Sequence, residues 1–151
     1  MEKLKAYTFV FLQFLLIGII LVTGKMMAEN KICFFVELSG VLIGCWAIIS
    51  LKIGNFNATP TVKKNAHLVK HGPYKFLRHP MYLAVLLVVF ALISDDFTFW
   101  RLLAGILLFV VLIFKLFYEE KLLLAHFKEY SDYMKTTKRF IPFIFKFFLD
   151  N

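Results

Sequence analysis

The sequence predicts an all-α fold: a polytopic membrane bundle of about four transmembrane helices, followed by an amphipathic helix on the cytoplasmic side. Three observations carry that reading. Apolar residues make up 60% of the 151 positions, against roughly 45–50% in a soluble domain, and charged residues only 19%. Mean hydropathy is +0.74. The apolar residues also gather into four blocks separated by short polar stretches. One domain's length of chain cannot hide that much apolar surface from water, whereas lipid covers it. The same figures exclude a disordered chain.

The first block is residues 6–23, preceded by Met1-Glu-Lys-Leu-Lys5. It is longer than the roughly 7–15-residue core of a signal peptide and no small-residue cleavage site follows, so it reads as a retained helix. The second block, residues 32–51, carries Glu37, Gly40 and Gly44. The Gly-x-x-x-Gly spacing lets helix backbones approach closely, here within the bundle rather than between two chains. Glu37 lies near one end of the span, where it reaches the interface or faces a polar cavity. The third block, residues 81–94, covers only about 21 Å of a roughly 30 Å hydrocarbon core and starts at a proline. The fourth, residues 97–117, is long enough to span, with Arg101 near its start and Asp95-Asp96 as the link before it. A short helix that starts at a proline begins below the membrane surface, where irregular backbone is tolerated only against a protein cavity.

Charge sets the orientation. The loop from Lys52 to His79 carries Lys52, Lys63, Lys64, Lys70, Lys75 and Arg78 and no acid. The tail after the fourth block is counted as carrying Lys115, Lys121, Lys128, Lys135, Lys138, Arg139 and Lys146. The positive-inside rule then places both termini in the cytoplasm. Residues 1–151 read as a single integral membrane domain, with cytoplasmic regions at 59–82 and 118–143. The net charge of +8 suits anionic headgroups. Nucleic acid is not an expected partner, because no binding module accompanies the charge. Cys33 and Cys45 sit inside an apolar run and read as small buried hydrophobes. No Cys/His spacing suits zinc, and His67 with His71 is too loose a pair for a metal.

Polar residues concentrate in two places. One is His71-Gly-Pro-Tyr-Lys-Phe-Leu-Arg-His-Pro-Met-Tyr82. Gly72-Pro73 signals a turn. Pro80 pushes His79 out of the α region and suits the first helical position. The N–H groups of the new helix, with the Arg78 fork, His79 and Tyr82, form a corner for a carboxylate or phosphate. The other place is Tyr118-Glu119-Glu120. On one helix Leu116, Glu120, Leu123, Phe127, Tyr130 and Met134 form a single stripe, which puts Glu120 on a buried face. A carboxylate there needs a cation: Arg78, Arg139 or a ligand ammonium. A ligand with an α-carboxylate, an α-ammonium, a flat heterocycle and a sulfonium fits these groups, and S-adenosylmethionine has all four.

The motif from His71 to Tyr82 resembles the signature of the isoprenylcysteine carboxyl methyltransferase family, which is similar to the phospholipid N-methyltransferases. Pro60, Leu68-Val69, Glu119-Glu120, Phe127, Tyr130, Tyr133 and Arg139-Phe-Ile-Pro142 resemble its flanking and second blocks, in order, over residues 59–143. Relatives often read Phe-Gly-x-x-Tyr-x-x-Tyr where this chain has Phe127-Lys-Glu-Tyr130-Ser-Asp-Tyr133, one residue shorter and without the glycine. The resemblance implies an integral membrane methyltransferase that uses S-adenosylmethionine. It implies cofactor contacts from His71, Gly72, Tyr74, Arg78, His79, Pro80, Tyr82, Glu119 and Glu120, with Tyr130, Tyr133 and Arg139 closing the pocket. Arg78, Glu120 and Arg139 are the candidates for catalysis. The acceptor is expected to be amphipathic or lipid-like, bearing a carboxylate, thiol or amine. A sterol-type reductase using NADPH and a non-catalytic scaffold are the alternatives. Residues 140–148, aromatic and interrupted by Pro142 and Lys146, read as a surface anchor that lids the pocket.

Overall fold

The computed structural model describes residues 2–55 and 67–139. Pro60, Lys63, Lys64, Lys146 and the anchor expected at 140–148 lie outside them. Among the described residues, five α-helices make up an all-α membrane bundle: α1 (Glu2–Val22), α2 (Lys31–Asn55), α3 (Pro80–Asp95), α4 (Phe99–His126) and α5 (Tyr130–Thr136). Helices α1, α2 and α4 are long and apolar enough to cross a membrane, while α3 is shorter. Helix α3 starts at Pro80, as the proline requires. Helix α4 continues nine residues past the block read as 97–117, so Glu119 and Glu120 ride on it well before its end at His126. The single stripe expected through Met134 is instead divided between two helices. The chain leaves α4 at Phe127, whose φ of −113° and ψ of 113° are extended, and α5 restarts at Tyr130.

Helix α1 packs along α4, and α2 along α3, with α3 also touching α1 and α4. The core is built where the two pairs meet, from Leu16 and Ile20 of α1, Val89, Leu92 and Ile93 of α3, and Ala104, Leu108, Leu112 and Leu116 of α4. On α4 the buried residues recur every three or four positions and end on Glu120, which sits in the core stripe as the spacing predicts. Phe11, Phe14, Phe35, Ile49, Phe90 and Phe114 point outward, as side chains bathed in lipid do.

Helix α2 turns its glycines toward α3. A Cβ at Gly40 would lie 2.9 Å from the Ala84 carbonyl oxygen, and one at Gly44 would lie 3.4 Å from the Ala84 Cβ. The Gly-x-x-x-Gly face is therefore occupied inside the bundle. With that face inward, Cys45 is exposed and Cys33 half-buried, which corrects the expectation of two buried thiols. Gly40→Leu should force the pair apart and lower stability by about 1–3 kcal/mol. Gly18→Leu, where nothing lies within 4 Å, is the matched control. Thermal unfolding in detergent reads both, and equal melting temperatures would refute the close approach.

The end of the bundle away from the His71–Tyr82 motif is tied by carboxylates. Asp95 accepts from the amides of Asn30 (2.7 Å) and Glu29 (3.0 Å), and Glu37 from that of Ala28 (2.9 Å). Asn30 caps α2 by accepting from the Ile32 amide at 2.9 Å. Fully buried Arg101 pairs with Asp96 at 3.0 Å. Glu37, which the sequence left open between interface and cavity, thus serves to hold the α1–α2 loop.

Candidate active site

The motif begins with a turn that only glycine makes easily. Gly72 has φ +60°, and a Cβ there would run into the Ser50 hydroxyl of α2. A 3-10 turn, Gly72–Lys75, follows and buries Pro73 and Tyr74. The amides of Phe76 and Leu77 return to the Pro73 carbonyl at 3.1 and 3.0 Å. The chain then runs extended and parallel to residues 138–139. The Lys138 amide donates to the Phe76 carbonyl (3.1 Å), Arg78 to Lys138 (2.7 Å) and His79 to Arg139 (3.3 Å). Pairing at Leu77 and Lys138 thereby brings the two signature blocks together.

Arg78 extends from this ladder and is almost wholly engaged. Its Nη1 donates to the carbonyls of Met134 (2.8 Å) and Thr137 (3.1 Å) at the end of α5, and its Nε lies 2.9 Å from Glu120 Oε1. Arg139 Nε donates to the other Glu120 oxygen at 3.1 Å, and its guanidinium lies over the Phe117 ring at 5.2 Å. His79 Nε2 is 3.5 Å from Glu120. Glu120, buried to 4% exposure, therefore meets both arginines that the sequence offered it. Losing one partner of such a buried cluster is costly, because the remaining charge stays desolvated.

Glu119 has a different setting. Its side chain is 29% exposed and accepts the Tyr82 hydroxyl at 2.5 Å. His79 Nδ1 lies 3.8 Å away, and the His79 ring stacks on Tyr82 with centroids 5.2 Å apart. Pro80, between them in sequence, is fully buried. His71 is exposed at the entry to the turn.

Three tyrosines form the wall beneath. Tyr133 donates to the Tyr74 carbonyl at 2.6 Å. Tyr130 is 1% exposed, and its hydroxyl has no partner among the described residues. Burial pushes the Tyr133 hydroxyl up to about 12 and raises those of Tyr74 and Tyr130 further, with the Glu119 carboxylate adding to the rise at Tyr74 and Glu120 to that at Tyr130. All three are neutral donors at physiological pH. A buried hydroxyl without a partner marks a place that a ligand or water completes.

The structure thus brings Arg78, His79, Pro80, Tyr82, Glu119, Glu120, Tyr130, Tyr133 and Arg139 to one end of the bundle, with Gly72 and Tyr74 in the adjoining turn. It also adds a residue that the sequence reading counted only as tail charge. Lys115, 4% exposed, donates to Gln13 of α1 at 2.7 Å and sits 5.2 Å from the Tyr82 ring centroid. An available signal was its place inside an apolar block, four residues before Glu119 and so on the same helical face.

Compared with known proteins, the chain matches a family model described as phospholipid methyltransferase over residues 16–130. The match runs from the middle of α1 to the first residue of α5. No curated protein and no solved structure matches the chain.

Proposed function

From the premise that the chain belongs to the phospholipid methyltransferase family, we propose that it methylates the amine of an amphipathic, membrane-embedded acceptor using S-adenosylmethionine. The site lies on the cytoplasmic face, where the basic loop predicts it. One observation carries the reading: two adjacent carboxylates have separate tasks. Glu120 is closed in by Arg78, Arg139 and His79, whereas Glu119 stays partly open and accepts the Tyr82 hydroxyl. An open carboxylate receives a cation, so it suits an acceptor ammonium.

The residues present fit the cofactor. Arg139 engages Glu120 through Nε alone and is one-fifth exposed, leaving a guanidinium edge for a carboxylate. The Tyr130 hydroxyl supplies a second donor facing the same cluster. When bound, S-adenosylmethionine supplies a sulfonium methyl as electrophile. Glu119 takes the ammonium proton and frees the nitrogen lone pair, while Tyr82 orients the carboxylate. The tyrosine wall holds acceptor and methyl in line and excludes water. Arg78 and Glu120 act as a brace that positions α5 and Arg139. No observation favours the reductase or scaffold alternatives.

Calorimetric binding of S-adenosylhomocysteine to the detergent-purified protein tests this. Saturable binding is expected, weakened about tenfold or more in Arg139→Ala, the usual scale for one charge-assisted pair. A folded wild type that binds none would overturn the reading.

A further inference from the structure

The far end of the bundle, opposite the site, carries large apolar side chains in the open. Met26 and Met27 lie between α1 and α2, and Phe97, Phe99 and Trp100 lie where α3 gives way to α4, each 64–72% exposed. The Phe99 and Trp100 rings meet edge to face at 5.6 Å. Val22 and Ile32, at the adjoining helix ends, are 87% and 75% exposed, so the patch continues the lipid-facing flanks of α1 and α2. The backbone of the same loop has internal acceptors. The Lys25 amide donates to Asp96 at 3.4 Å, that of Ala28 to Glu37, and those of Glu29 and Asn30 to Asp95. Charges pair in place, Lys25 with Glu29 at 2.5 Å and Arg101 with Asp96 at 3.0 Å. In bulk water, loop amides and surface ions need no such partners, whereas in a water-poor layer an unserved one is costly.

We propose that this end is a lipid-binding surface, seated in the interfacial layer of the leaflet opposite the site, and that it sets the depth of the bundle. An exposed tryptophan beside other apolar side chains suits that layer. The paired charges stay level with the headgroups, while the methionines and aromatic rings reach below them. Depth matters because α3 is short. Its 16 residues cover about 24 Å of a roughly 30 Å hydrocarbon core. With Phe97 and Trp100 held at one boundary, α3 begins about 6 Å short of the other. Tyr82, and the Glu119 carboxylate that accepts its hydroxyl, are then held beneath the near surface rather than in open water.

The chain's two tryptophans, Trp46 and Trp100, provide the test. In Trp46→Phe, reconstituted in phosphatidylcholine vesicles, Trp100 alone reports. Lipids brominated near the top of their acyl chains should quench it most, those brominated near the chain ends less, and aqueous iodide several-fold less than it quenches free tryptophan. Iodide quenching equal to that of free tryptophan would place this end in water and overturn the surface. Shelter from iodide and from every brominated lipid would show protein covering it, with the same consequence. Depth is read from the other tryptophan. Trp46 lies about 22 Å along α2 from its start, in the leaflet nearer the site. Trp100→Phe, which keeps an apolar ring, is the reference. Trp100→Gln combined with Met26→Gln and Met27→Gln should let the bundle slide toward the far side and carry Trp46 deeper, raising its quenching by chain-end bromines. These changes touch exposed side chains only. An unmoved Trp46 profile would show that the surface does not set the depth and overturn that role.

Discussion

Glu120→Ala is expected to destabilise the protein by about 3–5 kcal/mol, the range for removing one partner of a buried ion cluster. Arg78 Nε and Arg139 Nε would both lose their carboxylate, at 2.9 and 3.1 Å, while staying largely out of water. The damage should be regional. Arg78 also holds the carbonyls of Met134 and Thr137, so loosening it releases α5 and the Tyr130 wall. Thermal unfolding in detergent measures the total. Proteolysis between Lys128 and Lys138 shows where it falls, because cleavage there should precede cleavage in the apolar helices. A variant that melts with the wild type and resists protease would show that Glu120 is no brace.

Glu119→Gln should behave in the opposite way. Its side chain is 29% exposed and its close donor is a neutral hydroxyl, so the fold should survive. Turnover should fall by about 10²–10⁴, the usual contribution of a positioned general base. S-adenosylhomocysteine affinity should change little. Tyr82→Phe removes only the orienting hydroxyl and should cost less. Should the glutamine variant lose cofactor affinity in step with turnover, Glu119 would be a cofactor ligand and the base would have to be sought elsewhere.

Local signals made much of this legible in the sequence. Proline chemistry placed the start of α3 at Pro80, and α3 begins there. The Gly40/Gly44 spacing announced a close helix approach, and Ala84 supplies the other side. The period of α4 puts Glu120 on the buried stripe, and the two arginines that a carboxylate there calls for are the ones that meet it. Tertiary geometry hid the rest. Glu119 and Glu120 are neighbours in sequence but point about 100° apart on a helix, and the hydroxyl that the more open Glu119 accepts, from Tyr82 of α3, is set by helix packing. The Arg78 fork looks suited to a ligand, yet its Nη1 ends on two backbone carbonyls 56 and 59 residues away in the chain, a pairing no local pattern encodes. The break at Phe127 carries neither glycine nor proline, so the stripe read straight through it. Lys115 was visible all along but was summed as a charge rather than placed as a side chain.

The parallel pairing of residues 76–79 with 138–139 has a consequence for biogenesis. Half of the site leaves the ribosome before α3 and α4 are made, and its partner strand emerges only after both. The pocket cannot exist on a nascent chain until Lys138 and Arg139 are free of the exit tunnel. By then α1 to α4 have all been made, so the two signature blocks can pair only late in assembly. A truncated product lacking those two residues should therefore form the helices without the backbone pairing that joins the blocks.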